Sequence, residues 1–173
     1  MPRPFSGGVD VDLAALFRPV ASSVWVITSA DEQRPVGFTV VSLVSVSAEP
    51  PLVSFNLSAS SSSRGAVESA GRLAAHLLAD DQEHLARRFA GDRTHRFVDD
   101  GHWQWSPDGL PDLPESLVRL VLEPRSFTPA GDSIVVISEI VGARSTAGAP
   151  LVHHDRRFLP ALRPHLRLQH GAA

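Results

Sequence analysis

The sequence predicts a mainly β domain of antiparallel strands with short helices. Three observations carry this reading. Segments with strand character mostly follow one another, where a doubly wound sheet would alternate them with helices. Strand candidates such as "SVWVITS" are rich in β-branched and aromatic residues and are bounded by Pro, Gly, Ser and Asp. The chain has 173 residues, 43% of them apolar, which suits one core, and no repeat or linker divides it. The expected layout is a loose Pro/Gly-rich arm at 1–12, a single domain at 13–160 and a weakly patterned tail at 161–173.

Taken in order, "VDLAALFRPVA" suits a short helix with Leu13, Leu16 and Phe17 on one face, ended by Pro19. "SVWVITS" and a strand beginning near Val36 form a hairpin across the polar "ADEQRP". "GFTVVSLVSVSAEPPLVSFNL", from Gly37 to Leu57, reads as two extended strands joined at Pro50-Pro51. A helix opens near Arg64, and "GRLAAHLLA" reads as a buried strand whose alanines also permit a helix.

"DDQEHLARRFAG" is the clearest helix. Asp80 or Asp81 can cap it, Leu85 and Phe89 share a face, and Gly91 can supply a left-handed stop. Residues 91–116 form a long irregular segment containing Trp103 and Trp105, and such segments are more often functional or packing-related than idle. "LVRLVLEPRSF" and "DSIVVISEIVGAR" are strands separated by the turn "TPAG", and a last short strand falls near 150–154. The expected total is six or seven strands.

A net charge of −3 gives no reason to expect nucleic acid or an anionic membrane as a partner. Cysteine is absent, which excludes disulfides, thiolate catalysis and cysteine-ligated metal. No targeting segment or membrane-length apolar run is visible, so a soluble cytoplasmic protein is expected.

The eight histidines show no helical ligand spacing and no "HExxH", and His153 and His154 point to opposite faces of a strand. Surface or packing roles are favoured and no metal is expected. No "GxSxG" marks a serine nucleophile. The run "SASSSSRGAVESA" offers hydroxyls, backbone N–H groups and Arg64 to an anion such as a phosphate; a flexible serine loop with an ordinary cap is the plainer alternative. Hydroxyls at Thr39, Ser42, Ser45, Ser47 and Ser54 either face solvent or supply the small polar partners that a flavin ring needs between apolar walls.

At this block the chain resembles the flavin reductase-like domain family, the FMN-binding split barrel. The family pattern "GMTxNSFxSVSxDPPLV" is matched by Gly37, Thr39, Ser42, Ser45, Val46, Ser47, Pro50, Pro51, Leu52 and Val53. "RLAAHLL", "GLPDLPESL", "GDSIVVISEIV" and "PLVHHDRRF" are similar to later family segments, so the likeness spans about 17–158. It implies an antiparallel split β-barrel.

The resemblance further implies that Thr39, Val40, Val41, Ser42, Leu43, Ser45 and Val46 line the flavin ring and ribityl chain, while Ser60, Ser61 and Ser62 meet its phosphate. It implies FMN or FAD as cofactor, NADH or NADPH as reductant, a homodimer with flavin sites near the subunit interface, and a partner monooxygenase supplied with reduced flavin. Val41 replaces a frequent asparagine or small polar residue at the ring, and the other departures fall on the nicotinamide side. The family's "GDH" is Gly131-Asp132-Ser133 here, the final aromatic is Phe158 in place of tyrosine, and Leu159 stands where some members have histidine. Asp132, Ser133 and Phe158 are therefore the candidates near the nicotinamide or substrate. Two alternatives stay open: a flavin-dependent oxygenase or other redox enzyme acting directly on an organic substrate, and a non-catalytic flavin- or phospholigand-binding protein.

Overall fold

The computed structural model describes residues 11–161; all but the first residue of the expected tail, and all but the last two residues of the expected arm, lie outside them. Helix α1 (Leu13–Phe17) is capped by Asp12, whose carboxylate accepts from the Ala15 N–H at 3.0 Å. Strands β1 (Ser22–Ser23), β2 (Trp25–Asp31), β3 (Arg34–Val40), β4 (Val44–Ser47) and β5 (Leu52–Ser58) follow, then α2 (Arg64–Ser69), β6 (Leu73–Leu77) and α3 (Glu83–Ala90). After a 3₁₀ turn at Arg93–His95 come β7 (Gln104–Trp105), β8 (Pro111–Asp112), β9 (Val118–Ala130), β10 (Ser133–Ser145), β11 (Leu151–His154) and β12 (Arg157–Pro160).

Seven strands form one sheet in the order β3-β2-β6-β9-β10-β5-β4, every pairing antiparallel. β3 and β4 are its two edges and do not pair with each other, so the sheet is an open, split barrel. A three-stranded sheet, β1-β11-β12, and the β7-β8 pair complete the fold. Strand segments outnumber the expected six or seven because the sheet is broken into short pieces and returns through β12.

Two apolar cores lie on opposite sides of β2. Trp25 and Ile27 enter the barrel core with Phe38, Phe55, Leu73 and Leu122. Val24 and Val26, at the start of the same run, join a second core with Leu78, Leu85, Phe89 and Leu151 beneath α3. Burial on both faces explains why "SVWVITS" reads as a continuous apolar run without alternation.

Several local expectations are corrected. The Gly37–Leu57 stretch is not two strands but three: β3 ends at Val40, Val41–Leu43 breaks the ladder, and β4 and β5 form a separate hairpin. The break is held by Ser42, whose Oγ accepts from the Asn56 N–H at 2.9 Å. The turn "TPAG" shrinks to Gly131-Asp132, since Thr128 to Ala130 remain paired with β10; Gly131 takes φ +64, a region that disfavours side chains. Neither Asp80 nor Asp81 caps α3. Gln82 precedes it, and its side-chain oxygen instead accepts from the Ala79 N–H at 2.9 Å. Gly91 is extended, not left-handed, yet its N–H still closes on the Arg87 and Arg88 carbonyls.

A buried polar cluster joins β6, β8, β9 and β10. Asp112 lies 3.2 Å from Arg119 Nε, 2.9 Å from Arg144 Nη2 and 3.3 Å from His76 Nε2. The His76 and Arg119 Nε contacts are within ion-pair reach but off-line for hydrogen bonds. Arg119 also forks onto both Asp108 oxygens at 2.9 and 3.0 Å. Burial holds the His76 pKa below its ordinary 6.5, against the opposing pull of Asp112. Burial pushes Asp112 upward, but His76, Arg144 and Arg119 outweigh it and hold the carboxyl below its usual range.

Removing the central carboxylate strands buried charge. Asp112→Asn is therefore expected to lower unfolding free energy by about 3 kcal/mol, toward the low end for a broken buried pair because Arg119 keeps Asp108. Equilibrium denaturant unfolding measures this.

Candidate functional site

Two cavities lie along β3. The smaller, of about 240 Å³, is lined by Phe38, Thr39 and Val40 from β3, Asn56, Leu57 and Ser58 from β5, and Ser61, Phe89, Ala90 and Arg96. The larger, of about 600 Å³, lies beyond Gly37 and is lined by Ser62, Ser63, Arg34, Arg93, Thr94 and Phe97 among others. Arg96 lines both.

Arg96 is placed by local sequence chemistry. Asp92 accepts from the Thr94 N–H and Oγ1, both at 2.8 Å, which closes the 3₁₀ turn carrying Arg93 and presents Arg96 just after it. Those two bonds hold the Asp92 carboxyl below its ordinary pKa. The Arg96 guanidinium donates to Gly37 O at 2.7 Å, to Gly91 O at 2.8 and 3.1 Å, and to Ser63 Oγ at 3.4 Å. Burial draws its pKa down; Asp92 opposes this and Arg93 adds to it. Among the described residues no carboxylate pairs with Arg96 or Arg93, although most other arginines have such a partner. Arg96 is thus a positioned cation on a wall of hydroxyls, with Asp92 acting on it only from beyond ion-pair distance.

Gly37 makes room for two aromatic rings beside this contact. A Cβ built there would sit 2.9 Å from both Phe89 Cε1 and Phe97 Cζ and 3.1 Å from Ile27 O. The two rings pack edge-to-face at 5.1 Å, and Phe97 continues to Trp103 at 5.0 Å and on to Trp105 at 5.8 Å. The irregular segment after α3 is therefore pinned by aromatic packing.

The residues singled out in the sequence are distributed unevenly. Thr39, Val40 and Ser61 line the smaller cavity, and Ser62 lines the larger. Thr39 Oγ1 donates to Ala86 O at 2.7 Å, leaving its lone pairs as acceptors. Ser60 is exposed, its hydroxyl 3.0 Å from that of Ser58. Ser42 is committed to Asn56, and Leu43 is buried in the barrel core. Val41, Ser45 and Val46 are exposed on and beside the edge strand β4 and line neither cavity.

Asp132 and Ser133 form the tip of the β9-β10 hairpin beside the serine loop: Ser133 is paired with Ser58, and the Ala59 N–H donates to Asp132 O at 2.8 Å. Phe158 lies elsewhere, against the second core, with Arg87 above its ring at 5.2 Å and His153 at 5.4 Å. Sequence reasoning missed Asn56, Ser58, Phe89 and above all Arg96. The available signal was "GDRTHRF", an Asp-capped turn that follows a helix stop and carries two arginines.

The model of the flavin reductase like domain matches residues 17–161. The chain belongs to this family. Among curated relatives of this flavin reductase-like protein, the NADH:FMN oxidoreductase of Rhodococcus qingshengii is 37% identical over 152 residues, covering 85% of this chain and 79% of the relative. The reductase subunit HsaB of a flavin-dependent monooxygenase from Rhodococcus jostii is 33% identical over 119 residues, covering 69% of this chain and 60% of that one. The crystal structure of a flavin reductase domain protein from Arthrobacter superposes with a TM-score of 0.83 at 30% identity, covering 90% of this chain and 97% of that one. Among the described residues no three His, Asp or Glu side chains gather as a metal site, and no helix is long and apolar enough to cross a membrane.

Gly37→Ala in this flavin reductase-like chain is expected to cost about 1–3 kcal/mol by overpacking Phe89 and Phe97. A lowered thermal midpoint together with altered near-ultraviolet circular dichroism from the aromatic row checks it.

Proposed function

We propose that this protein is an NADH- or NADPH-dependent flavin reductase that binds FMN or FAD and hands reduced flavin to a partner monooxygenase. The observation that carries this is Arg96, a guanidinium with no ion-pair partner among the described residues, tethered between the serine loop and β3 in a chain of the flavin reductase family. The donor set of the smaller cavity fits a flavin. Thr39, Asn56, Ser58 and Ser61 are short neutral hydrogen-bonding groups, Val40, Leu57 and Phe89 are apolar, and Arg96 supplies a charge for a phosphate.

In this reading Ser61 and Ser62, with Ser60 at the exposed lip of the loop, turn hydroxyls toward the phosphate while Arg96 fixes its position. Thr39 and Val40 hold the ribityl side of the ligand along the end of β3. Ser133 and Asp132, beside Ser58, face the reductant. A bound flavin supplies the hydride-accepting chemistry, and the protein orients it. Ser133 can donate a hydrogen bond to a nicotinamide amide but cannot add the positive charge that a histidine would. Both reductant and reduced product suit the cytoplasm.

At about 240 Å³ the smaller cavity is below the usual range for a whole cofactor, roughly 300–1,000 Å³. The exposed Val41, Val44 and Val46, at 40–56% accessibility on and beside an edge strand, supply apolar surface that a single chain leaves wet. A second copy completes this wall in a homodimer, which brings Val41, Ser45 and Val46 against the ring.

Three measurements test these statements. Titration with FMN, followed by quenching of flavin fluorescence, together with NADH or NADPH oxidation, is expected to show saturable binding and turnover above the flavin-only background. The double variant Ser61→Asp/Ser62→Asp, whose carboxylates repel a phosphate, should weaken binding at least a hundredfold; unchanged affinity removes the phosphate assignment. Light scattering is expected to give a dimer for the native chain and a monomer for Val44→Glu/Val46→Glu, and an unchanged mass for that variant places the dimer contact elsewhere.

A further inference from the structure

Two histidines outside both cavities face each other between α3 and the segment that follows it. His84 and Arg88 lie four apart in α3 and so share one face of the helix. That face meets residues 100–102. Arg88 donates to one Asp100 carboxylate oxygen at 2.5 Å, and the other oxygen accepts from the His102 N–H at 3.2 Å. The His102 ring lies against His84, with centroids 4.8 Å apart and planes tilted by 60°. Trp103, the next residue, is fixed by its bond to Val98 O at 3.0 Å and by the Phe97 ring. A helix holds one imidazole and a pinned turn holds the other.

The ring nitrogens of this pair are uncommitted. His76 and His95 each engage a ring nitrogen with a protein partner, Val26 O at 3.3 Å and Thr94 Oγ1 at 3.2 Å. Among the described residues the rings of His84 and His102 have no such partner, and one is exposed while the other is half-buried. Their spacing fits one shared ion. A metal–imidazole bond of about 2.0–2.1 Å sets the ion roughly 3.2 Å from each ring centre, so ligand angles of about 90–109° put the two centres roughly 4.5–5.2 Å apart. The neighbouring charges also favour a cation. Asp80, Asp81 and Asp99 lie within four residues of one histidine or the other and have no ion-pair partner among the described residues, while Arg87 and Arg88 are each matched to a carboxylate.

We infer that His84 and His102 form a two-histidine site for a first-row divalent transition metal of the Zn²⁺, Ni²⁺ and Cu²⁺ class, with water in the remaining positions. Imidazole nitrogen suits these ions, whereas Mg²⁺ and Ca²⁺ call for oxygen ligands that the pair does not present. No third His, Asp or Glu ligand stands with the two among the described residues, so the site is open and its ion exchangeable. A bound ion joins the start of α3 to the segment that runs on from Arg96 and Phe97, and so clamps the turn that presents the Arg96 guanidinium. The site takes no part in flavin chemistry and does not rest on the flavin reading. Two unligated rings can also stack at this distance; a ring without nitrogen at position 84 separates the two cases.

The test is titration of the full-length, chelator-treated protein with Ni²⁺ alone and, separately, with Mg²⁺. Binding is followed by quenching of tryptophan emission, since Trp103 adjoins His102, and by the thermal midpoint. The native chain is compared with His84→Phe, which keeps a ring and removes its nitrogens, with His102→Asn, and with His153→Ala as a histidine outside the site. Ni²⁺ should quench the native chain saturably at one equivalent and raise its midpoint, while Mg²⁺ does neither. His84→Phe and His102→Asn should each weaken Ni²⁺ binding at least tenfold and abolish the rise in midpoint, and His153→Ala should do neither. Should His102→Asn disturb the metal-free midpoint, His84→Phe decides alone, because that side chain is exposed. Ni²⁺ binding that His84→Phe leaves unaltered overturns the inference and assigns the ion to other histidines. A native chain that Ni²⁺ neither quenches nor stabilises, or that responds equally to Mg²⁺, overturns it too.

Discussion

The tether of Arg96 to backbone carbonyls is the constraint on which the site depends. One guanidinium reaches Gly37 on β3, Gly91 at the end of α3 and Ser63 at the start of α2. These points come from three separate stretches of chain, and the serine loop has its form only while all three stay together. Burying part of a guanidinium is costly unless its N–H groups are satisfied. The carbonyls satisfy most of them and leave the charge whole. A carboxylate partner would have held the side chain equally well and cancelled the property that an anionic ligand needs.

The rest of the fold supplies a rigid frame for that tether. β2 is buried on both faces, so the barrel core and the core under α3 share one strand and cannot shift independently. α3 carries Phe89 into the second core and toward the cavity wall at once. Phe89, Phe97 and Trp103 then fix the turn-rich segment that has little regular structure of its own. The Asp112 cluster plays a comparable part farther across the sheet, where Arg119 and Arg144 draw β8, β9 and β10 together through charge.

How much of this was legible varied with the range of the interaction. Leu85 and Phe89 sit four apart and face the core as local periodicity requires. β2 and the β2-β3 hairpin follow from side-chain type and a short polar turn. The end of β3 did not show, because Thr39 to Ser47 keeps an unbroken strand-like composition; the break depends on Ser42 bonding to Asn56, fourteen residues away. The Gly131 turn was placed correctly but drawn too wide, since Pro129 is tolerated at a hairpin end. The serine loop was visible as a candidate anion site, and Thr39, Val40 and Ser61 do meet in one cavity. Arg96 was invisible there, because its meaning comes from carbonyls 59 and 5 residues away in sequence. Cavities belong to tertiary packing, and no residue pattern encodes them.

The choice of carbonyls as anchors also determines what acid can do to this site. An amide carbonyl does not titrate, so the posture of Arg96 is the same at pH 5 as at pH 8. An arginine held by Asp or Glu would loosen as its partner gained a proton. Here the carbonyl end of the contact is indifferent to acidity, and a proton gained by the ligand changes the attraction. A phosphate monoester gains that proton near pH 6, whereas a pyrophosphate diester has none to gain in this range. The acidity of the medium thus becomes a property that separates one class of bound anion from the other.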